Sequence, residues 1–522
     1  RIQLAFLTPL LNRLSGIPFL SGLLEKKASE TGEENESNRW RDRIFDPYGR
    51  EGKRGSNQAF IALLIVMLIF VWWLPISSDP ATFRWDKMFQ FSNVMQTVCI
   101  FALMAFSLNL HTGYTGMVNF GVVFFVGIGA ITICVLSAPT RMNGYGWPIL
   151  PAAIVGILLS SLLGWALAYP TARLRTDYFA IVTISLGEIV RLLLSAEPLL
   201  RTGPTASAIG LGSYPLPFKE WWFCGSDIET GPDMEFLSPD ACRTATPEIE
   251  SPSLLFSDLL NLGEPAPYSV LLAIICICCV LTVWALLESL LSSPWGRILK
   301  AIREDEEVAQ HHGHDVLRHK AASLALGAGI ASLAGVLWAW KLTGLSPSFM
   351  SPASTTFLVW AAFIIGGSAN NKGMVVGAFI IVLMEFVFNV LVVASYPDLP
   401  LYYTAERIDG AFVWLVTDQW EVTKVFVAFL VIGIVTRSSG LAEIGVWGAL
   451  VFAFTAVMME GDRALDSATN YAGEVTISGG GMVYVKLLLV GGLMLYSLKF
   501  NPKGLLPEVP ARPERPNGGT PE

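Results

Sequence analysis

The sequence predicts an all-α, polytopic membrane protein with about ten to twelve transmembrane helices. Of its 522 residues, 53% are hydrophobic and 15% are charged, whereas about 25% are charged in an average soluble domain. The apolar residues are grouped in runs of about 18 or more, which is the length that an α-helix needs to cross the hydrocarbon core of a bilayer. The lipid membrane is therefore the first partner that the sequence predicts.

The order of the apolar runs divides the chain into five parts. A cytoplasmic or interfacial extension precedes the core transmembrane domain, and an inserted loop with an extra helical hairpin separates that core from the last transmembrane helix and a disordered cytoplasmic tail. In that order the parts are 1–57, 58–394, 395–480, 481–507 and 508–522. The predicted spans are 59–76, 92–110, 115–138, 148–169, 177–195, 269–291, 321–341, 353–369, 374–394, 424–437, 441–459 and 482–498.

Basic residues set the predicted orientation of these spans. Arg39 and Lys53 are among several that precede the first span, and the positive-inside rule then places the N- and C-termini in the cytoplasm. The same alternation places the loop 196–268 outside, where three basic residues stand against eleven acidic ones. Cys224 and Cys242 lie in this loop, and the sequence is compatible both with a disulfide between them and with two free thiols. No basic patch with interleaved aromatic residues occurs, so we expect no nucleic-acid partner.

The longest strongly charged segment between two long apolar runs is 293–320, called the charged segment below. Ser293 can cap a helix with Pro294 at its first position, and Gly313 can end that helix in the left-handed conformation. Apolar residues recur on one side and charged residues on the other, which predicts one amphipathic helix at a membrane exit. A solvated loop helix and a docking surface for a soluble partner both fit this pattern.

Glycine and polar residues interrupt two predicted spans. The first glycine break covers 109–121 and the second covers 366–377. Polar backbone at membrane depth survives only where it packs within protein or lines a water-filled path, and paired breaks in the two halves of a transporter mark its translocation route. Tight helix packing explains the glycines equally well, so both interpretations stand on the residues alone.

Four stretches resemble one family, the M-type (LivM-like) permease subunits of branched-chain amino-acid ABC transporters. Lys300–Glu306, followed seven residues later by Gly313, resembles the family's cytoplasmic coupling run R-A-I-R-E-D-E. The stretch 174–192 is similar to L-R-G-D-Y-F-A-I-V-T-L-x-x-x-E-I-x-R and is the most specific match. The stretch 113–122 keeps the glycines of the motif G-Y-T-G-Q-x-S-x-G-H, and 500–506 is similar to R-P-x-G-L-L. The resemblance covers roughly residues 92–394 and 482–507.

The resemblance implies the permease fold of an ABC importer that carries branched-chain or other hydrophobic amino acids, with urea and short amides as alternatives in the family. Met117, Asn119 and Val122 stand where the family has Gln, Ser and His, which leaves the solute open. The implied ATPase-coupling residues are Arg303, Glu304, Asp305, Glu306 and Gly313. The implied residues along or beside the translocation pathway are Asn109, Gly113, Tyr114, Thr115, Gly116, Asn119, Gly121, Tyr178, Thr183, Glu188, Gly366 and Gly367.

The partners that the resemblance implies are a second homologous permease subunit, two ATP-binding ATPase subunits and an extracytoplasmic solute-binding protein, in the cell membrane of a prokaryote. The chain contains no G-x-x-x-x-G-K-[ST] phosphate-binding loop, so we expect a transporter subunit rather than an enzyme, with ATP hydrolysis on the separate subunits. Gly313 breaks the helix between His311 and His314. We therefore expect no metal site there, and no cofactor.

An ion-coupled secondary transporter is the alternative from a different class. An ionisable side chain within a span is costly and tends to be functional, and Glu385 and Glu188 are the candidates for its coupling group. Glu188 also lies three residues before Arg191 on one predicted helix, where the two side chains can pair. Glu385 has no evident partner in the sequence.

Overall fold

The computed structural model describes residues 50–74, 83–138, 144–171, 176–196, 216–223, 252–343, 350–351, 355–393, 402–417, 419–435, 439–458, 482–500, 504–506 and 508. The predicted extension up to residue 49, most of the acidic loop with its two cysteines, and the predicted tail beyond residue 508 lie outside the described residues. Contacts divide the chain into two units, 1–62 with 509–522 and 63–508. The described part of the first unit is the beginning of the first helix, and the second unit holds the other described helices.

Every regular element in the described residues is a helix, so the prediction of an all-α fold is confirmed. Each predicted span contains a helix, and three further described helices were not predicted: α6 and α7 in the acidic loop, and α14 before the predicted hairpin. A π-helix, Asn109–Tyr114, directly follows α2. In chain order the helices are α1 (Arg50–Trp73), α2 (Phe83–Leu108), α3 (Val122–Ser137), α4 (Ile149–Thr171), α5 (Thr176–Ala196), α6 (Lys219–Phe223), α7 (Pro252–Leu260), α8 (Tyr268–Ser292), α9 (Pro294–Glu304), α10 (Glu306–His311), α11 (Val316–Leu342), α12 (Phe357–Gly366), α13 (Asn371–Val393), α14 (Tyr402–Thr417), α15 (Gln419–Val435), α16 (Ser439–Met458) and α17 (Met482–Phe500).

Within the described residues, five helical stretches are long and apolar enough to cross a membrane. Shorter apolar stretches lie in α1, α3, α12, α16 and α17. These findings confirm a polytopic membrane protein, and the number of crossings stays a prediction. The five long stretches are Phe83–Tyr114, Ile149–Thr171, Tyr268–Ser292, Val316–Leu342 and Asn371–Val390.

Helix α2 lies at the centre of the described core. It packs against α8, α11 and α13, and its second half is buried without interruption from Val98 to Leu108. A helix that is hydrophobic on all sides must be covered by protein or by lipid. Helix α4, by contrast, exposes Leu158 and Leu162. The enclosure of α2 places its end, where the first glycine break begins, among other helices rather than at the lipid.

Small residues allow α11 to approach its neighbours closely. Gly335 of α11 lies against the carbonyl oxygen of Val126 in α3, and Gly164 of α4 lies against Ala328 of α11. A Cβ atom at either glycine would overlap the neighbouring atoms. Small residues at helix contacts let two backbones come together, and van der Waals packing then stabilises the pair in lipid.

We expect the substitution Gly335→Val to destabilise the helix bundle by about 1–3 kcal/mol or more, because the added side chain meets backbone that cannot rotate away. Thermal unfolding of the purified protein in detergent measures the effect. Gly491→Val in α17 is the matched control, since a Cβ at Gly491 meets nothing within 4 Å. Equal unfolding temperatures for the two variants would contradict the close contact between α11 and α3.

Helices α15 and α16 form the hairpin that the sequence predicts in the insertion. They run antiparallel, because Leu430 lies beside Gly445 while Phe426 lies beside Gly448. The rings of Phe426 and Phe452 stack with centroids 5.2 Å apart. The hairpin is therefore held by its own apolar contacts.

The described parts of the acidic loop fold onto the beginning of α8. The indole of Trp222 in α6 is buried and donates to the carbonyl of Ala266 at 3.0 Å. The indole of Trp85 in α2 donates to the neighbouring carbonyl of Pro265 at 2.9 Å. These two tryptophans tie the loop to the helical core.

Candidate functional site

The first glycine break forms where α2 changes into the π-helix Asn109–Tyr114 and then into non-helical backbone up to Gly121. Single π turns inside helices frequently mark functional sites. The span predicted for 115–138 consequently starts later than expected, at Val122. The local cause is a set of polar contacts inside the break. The Thr115 hydroxyl bonds to the carbonyl of Leu110 at 2.8 Å and to the hydroxyl of Ser323 in α11 at 2.8 Å.

Asn109 joins the two glycine breaks. Its amide nitrogen donates to the side-chain oxygen of Asn371 at 3.1 Å, and its own oxygen accepts the backbone N–H of Ala369 at 2.8 Å. The Tyr114 hydroxyl donates to the carbonyl of Ala369 at 2.8 Å. Gly113 is required here, because a Cβ would overlap the Asn109 side chain and approach the Ala369 nitrogen. Residues far apart in sequence therefore form one buried polar cluster.

The second glycine break is completed by the C-terminal stretch 504–506. The backbone N–H of Leu505 donates to the carbonyl of Ile365 at 2.8 Å, and that of Leu506 donates to the carbonyl of Gly366 at 3.0 Å. Gly367 and Gly504 have positive φ angles of 109° and 74°. A Cβ at Gly504 would overlap the backbone of Gly367. These contacts supply partners for carbonyls that the end of α12 leaves open.

Asn119 and Thr183 hold the remaining part of the first break against α5. The Asn119 amide bonds to the buried ring of His111 at 2.9 Å, and its oxygen accepts the N–H of Gly121 at 2.7 Å. The backbone N–H of Phe120 donates to the Thr183 hydroxyl at 3.2 Å. Gly121 lies directly on the Thr183 backbone, with no room for a Cβ. The segment between α3 and the π-helix is thus fixed on both sides.

Between Ser293 and Gly313 the charged segment contains two helices, so the prediction of one continuous helix is wrong. Helix α9 ends at Glu304, and Asp305 adopts extended backbone with φ −155° and ψ 112°. The Asp305 carboxylate then accepts the N–H groups of Glu307 and Val308, both at 3.0 Å, as the N-cap of α10. Ser293 occupies the N-cap position of α9 but makes no side-chain cap bond, since its hydroxyl donates to the carbonyl of Leu290 at 2.6 Å instead.

Two other expectations for this segment agree with the structure. Gly313 has a positive φ of 83° after the end of α10, which is the left-handed conformation predicted for it. The apolar side is buried, with Ile302, Ala309 and Val316 in one cluster and Ile298 packed against it. An Asp within an apparently continuous helical pattern favours a cap over helix interior, and this signal locates the break between α9 and α10.

Arg303 faces the protein. One guanidinium nitrogen donates to the carbonyl of Gly113 in the first glycine break at 2.5 Å, and another donates to the carboxylate of Glu508 at 2.9 Å. The ammonium of Lys300 donates to the same carboxylate at 2.5 Å. A Cβ at Gly116 would come within 3.3 Å of Arg303. The charged segment is therefore bonded directly to the break at the end of α2.

The other residues expected to couple to an ATPase face outward to different degrees. Glu304, Asp305 and Gly313 are exposed, whereas Glu306 pairs with Lys320 at 2.6 Å and is 48% exposed. Arg297 and Ala301 of α9 and His311 of α10 are also exposed. The exposed surface around the junction of these two helices, called the outer face below, carries three acidic residues and one apolar residue. It consists of Glu304, Asp305, Glu307, Val308 and Gln310.

The predicted pathway residues divide into a large buried group and a small exposed one. Tyr178 is 60% exposed on α5, and Glu188 is half-buried in a pair with Arg191, with an N–O distance of 2.9 Å. Gly116 is partly buried. The buried group packs within protein, and a lining role for it stays a prediction. It consists of Asn109, Gly113, Tyr114, Thr115, Asn119, Gly121, Thr183, Gly366 and Gly367.

Sequence reasoning missed the contributions of Glu508 and Asn371 to these contacts. Glu508 lies at the very start of the segment predicted as a disordered tail. The stretch that resembles R-P-x-G-L-L carried the relevant signal, because it ends just before that residue. Among the described residues, no group of three or more His, Cys, Asp or Glu side chains is arranged to hold a metal ion.

The fold and the site define a class, a polytopic helical membrane protein whose central helix is broken and whose charged segment bonds to that break. Residues 90–435 match the family model described as branched-chain amino acid transport system / permease component. The chain belongs to this family.

Two bacterial M-type proteins are similar to the chain. It is 30% identical over 335 residues to the high-affinity branched-chain amino acid transport system permease protein LivM of Escherichia coli K12, covering 64% of this chain and 69% of that protein. It is 29% identical over 287 residues to the protein of the same name from Salmonella typhimurium, covering 54% of this chain and 60% of that protein, less than two thirds of its length.

The H-type permease is also similar to the chain. The LivH permease protein of Escherichia coli K12 is 23% identical over 307 residues, covering 57% of this chain and 84% of that protein. No solved structure matches the chain.

We expect Asn109→Ala to lower the free energy of unfolding by about 1–3 kcal/mol, because the N–H of Ala369 would stay buried without an acceptor. Unfolding of the purified protein in detergent, followed by circular dichroism, measures the loss. Thr282→Val is a suitable control, since the exposed Thr282 hydroxyl bonds to the carbonyl of Cys278 in its own helix and to no other described residue. An unchanged unfolding midpoint for Asn109→Ala would show that the two breaks are not joined through this side chain.

Proposed function

We propose that this chain is the transmembrane permease subunit of an ABC importer that moves branched-chain or other hydrophobic amino acids across a cell membrane. Membership of the permease family supports this proposal, as do the long apolar helices. Urea and short amides remain alternative solutes within the same mechanism. The bond between Arg303 and the Gly113 carbonyl carries the mechanistic part of the proposal.

That bond connects a charged surface outside the apolar helices to the broken end of the central helix. An ATPase subunit binds the outer face of α9 and α10, and its ATP-driven closure moves the charged segment. Arg303 and the adjoining Lys300 transmit the movement to the first glycine break and to Glu508. Such switching requires that ATP bind more tightly to one state of the transporter than to the other.

The proposed assembly contains a second homologous permease, two ATPase subunits and an extracytoplasmic solute-binding protein. Similarity to both LivM and LivH proteins supports a pair of related permeases. The proposed location is the cell membrane of a prokaryote, with the charged segment and both termini in the cytoplasm. The acidic loop 196–268 then lies outside, where it can meet the solute-binding protein.

The observations favour the importer over an ion-coupled carrier. The carrier hypothesis needs an ionisable group that is set aside for ion coupling. Glu188 instead forms a bidentate pair with Arg191 on a half-exposed helix face, and the carboxylate of Glu385 interacts electrostatically with Lys341. Both candidate carboxylates therefore have cationic neighbours.

The decisive experiment is leucine uptake by proteoliposomes that contain the complete complex with its ATPases and binding protein. We expect Glu307→Arg on the outer face to lower ATP-dependent uptake at least about tenfold and to lower ATPase co-purification, because the charge reversal opposes docking. Glu307 is preferred to Glu306, whose replacement would also break the pair with Lys320. Glu421→Arg is the control, since Glu421 is exposed in a pair on the inserted hairpin.

Uptake that persists without ATPase subunits and follows an imposed ion gradient would overturn the importer and favour the carrier. ATPase co-purification that is equal in Glu307→Arg and Glu421→Arg would place the docking surface elsewhere.

Arg303→Met tests transmission separately from docking. We expect this variant to retain ATPase co-purification and to lose most ATP-dependent uptake, because the outer face is intact while the link to the Gly113 carbonyl is gone. Arg318→Met is the matched control, since Arg318 is 76% exposed and, among the described residues, forms its ion pair with Asp315 in its own turn. Parallel loss of co-purification and uptake in Arg303→Met would assign Arg303 to docking instead.

A further inference from the structure

A cavity of about 640 Å³ lies between α2, α11 and α13. Lys341, near the end of α11, lines this cavity, whereas the start of α11 adjoins the charged segment. At about 1.5 Å per residue, the helix separates these two ends by roughly 38 Å. The cavity thus lies at the opposite end of the core from the charged segment. Its volume is within the range of about 300–1,000 Å³ that is typical of small-molecule sites.

Four aromatic side chains lie in the walls of the cavity. Phe89 and Phe101 come from α2, Trp338 comes from α11 and Phe386 comes from α13. The rings of Phe101 and Trp338 lie 5.9 Å apart. Such a surface accepts an aliphatic side chain, because apolar area leaves water on both partners when they meet.

Opposite charges stand on two walls of the same cavity. Lys341 of α11 and Glu385 of α13 both line it, and they interact electrostatically. The Lys341 ammonium donates to the carbonyl of Asn93 at 3.2 Å and to the hydroxyl of Thr97. An ammonium has three donors, so its position is fixed by α2 while a donor is left for a ligand.

Gln90 adds an acceptor to this arrangement. It lines the cavity, and its side-chain oxygen is buried without a hydrogen-bond partner among the described residues. A buried acceptor without a partner costs free energy that a bound donor would restore. Charges at membrane depth are likewise retained mainly where they serve a substrate or ion pathway.

We infer that this cavity binds a zwitterionic amino acid, with Lys341 holding the α-carboxylate, Glu385 holding the α-ammonium and the four aromatic side chains packing against the aliphatic side chain. The inference rests on the proposed function and specifies the permease's own selectivity. The side-chain oxygen of Gln90 accepts a further hydrogen bond from the ammonium group. A site of this kind recognises both charged groups of the ligand, rather than its side chain alone.

Ligands that lack one charge test the inference. The complex of permease and ATPase subunits in nanodiscs is equilibrated with radiolabelled leucine, which is then displaced by leucine, leucinamide or 4-methylpentanoate. Leucinamide lacks the carboxylate, and 4-methylpentanoate lacks the ammonium group. For the wild type we expect leucine to bind at least about tenfold more tightly than either analogue, because each loses one charge-assisted contact.

Two variants test which side chain binds which charged group of the ligand. Lys341→Met is expected to weaken the binding of leucine about tenfold while leaving the binding of leucinamide unchanged. Glu385→Gln is expected to weaken the binding of leucine while leaving the binding of 4-methylpentanoate unchanged. Lys424→Met and Glu421→Gln are matched controls, because this lysine and glutamate form an exposed pair on the inserted hairpin. The controls should retain the wild-type order of affinities.

Several results would contradict the inference. If either variant lowers the affinity for all three ligands by the same factor, the two charged side chains only join α11 to α13 and the inference is wrong. It is also wrong if the wild type binds no leucine or does not discriminate among the ligands. ATP-dependent leucine uptake by the wild type in proteoliposomes is measured in parallel. If uptake is present but the binding experiment contradicts the inference, the importer proposal still stands. If uptake is absent, the importer proposal is wrong as well.

Discussion

A helix that stops inside a membrane protein leaves carbonyl and amide groups that must find partners, because neither lipid nor an apolar core supplies them. In this chain the broken end of α2 meets that requirement with distant side chains. Arg303 donates to the carbonyl of Gly113, and Asn109 accepts from the N–H of Ala369. The C-terminal stretch does the same for α12, through the N–H groups of Leu505 and Leu506. The carbonyl and N–H groups at the interrupted helices need hydrogen-bond partners, and this need brings four separated parts of the sequence together.

Because these parts are hydrogen-bonded to one another, they also depend on one another mechanically. Glu508 accepts from both Lys300 and Arg303, so a shift of α9 cannot leave the C-terminal stretch unaffected. Glycine at 113, 121 and 504 keeps the backbones in contact, with no side chain between them to absorb movement. In the proposed importer, this closeness lets a displacement on the outer face reach the end of the central helix.

The sequence predicted the helices well, because an apolar run long enough to span a bilayer is a strong local signal. It also predicted the left-handed Gly313 correctly. It failed at Asp305, where a cap interrupts what the charge pattern presented as one helix. It gave no sign that Arg303 bonds to the carbonyl of Gly113. The pairing of Asn109 with Ala369 joins positions far apart in sequence. Nothing in a local pattern specifies such a pair, because only the packing of α2 against α12 and α13 creates it.

Glu385 shows how a three-dimensional neighbour changes the meaning of a residue. In the sequence it was a single carboxylate within a span, which is the pattern of an ion-coupling group. Lys341 lies near the end of another helix, where a lysine is ordinarily an interfacial residue. The fold places both in the lining of one cavity, and two opposite charges fit a zwitterion better than a lone cation. Helix α11 carries Lys341 at one end and adjoins the charged segment at the other. A single closely packed helix thus connects the inferred ligand site to the surface on which ATP is proposed to act.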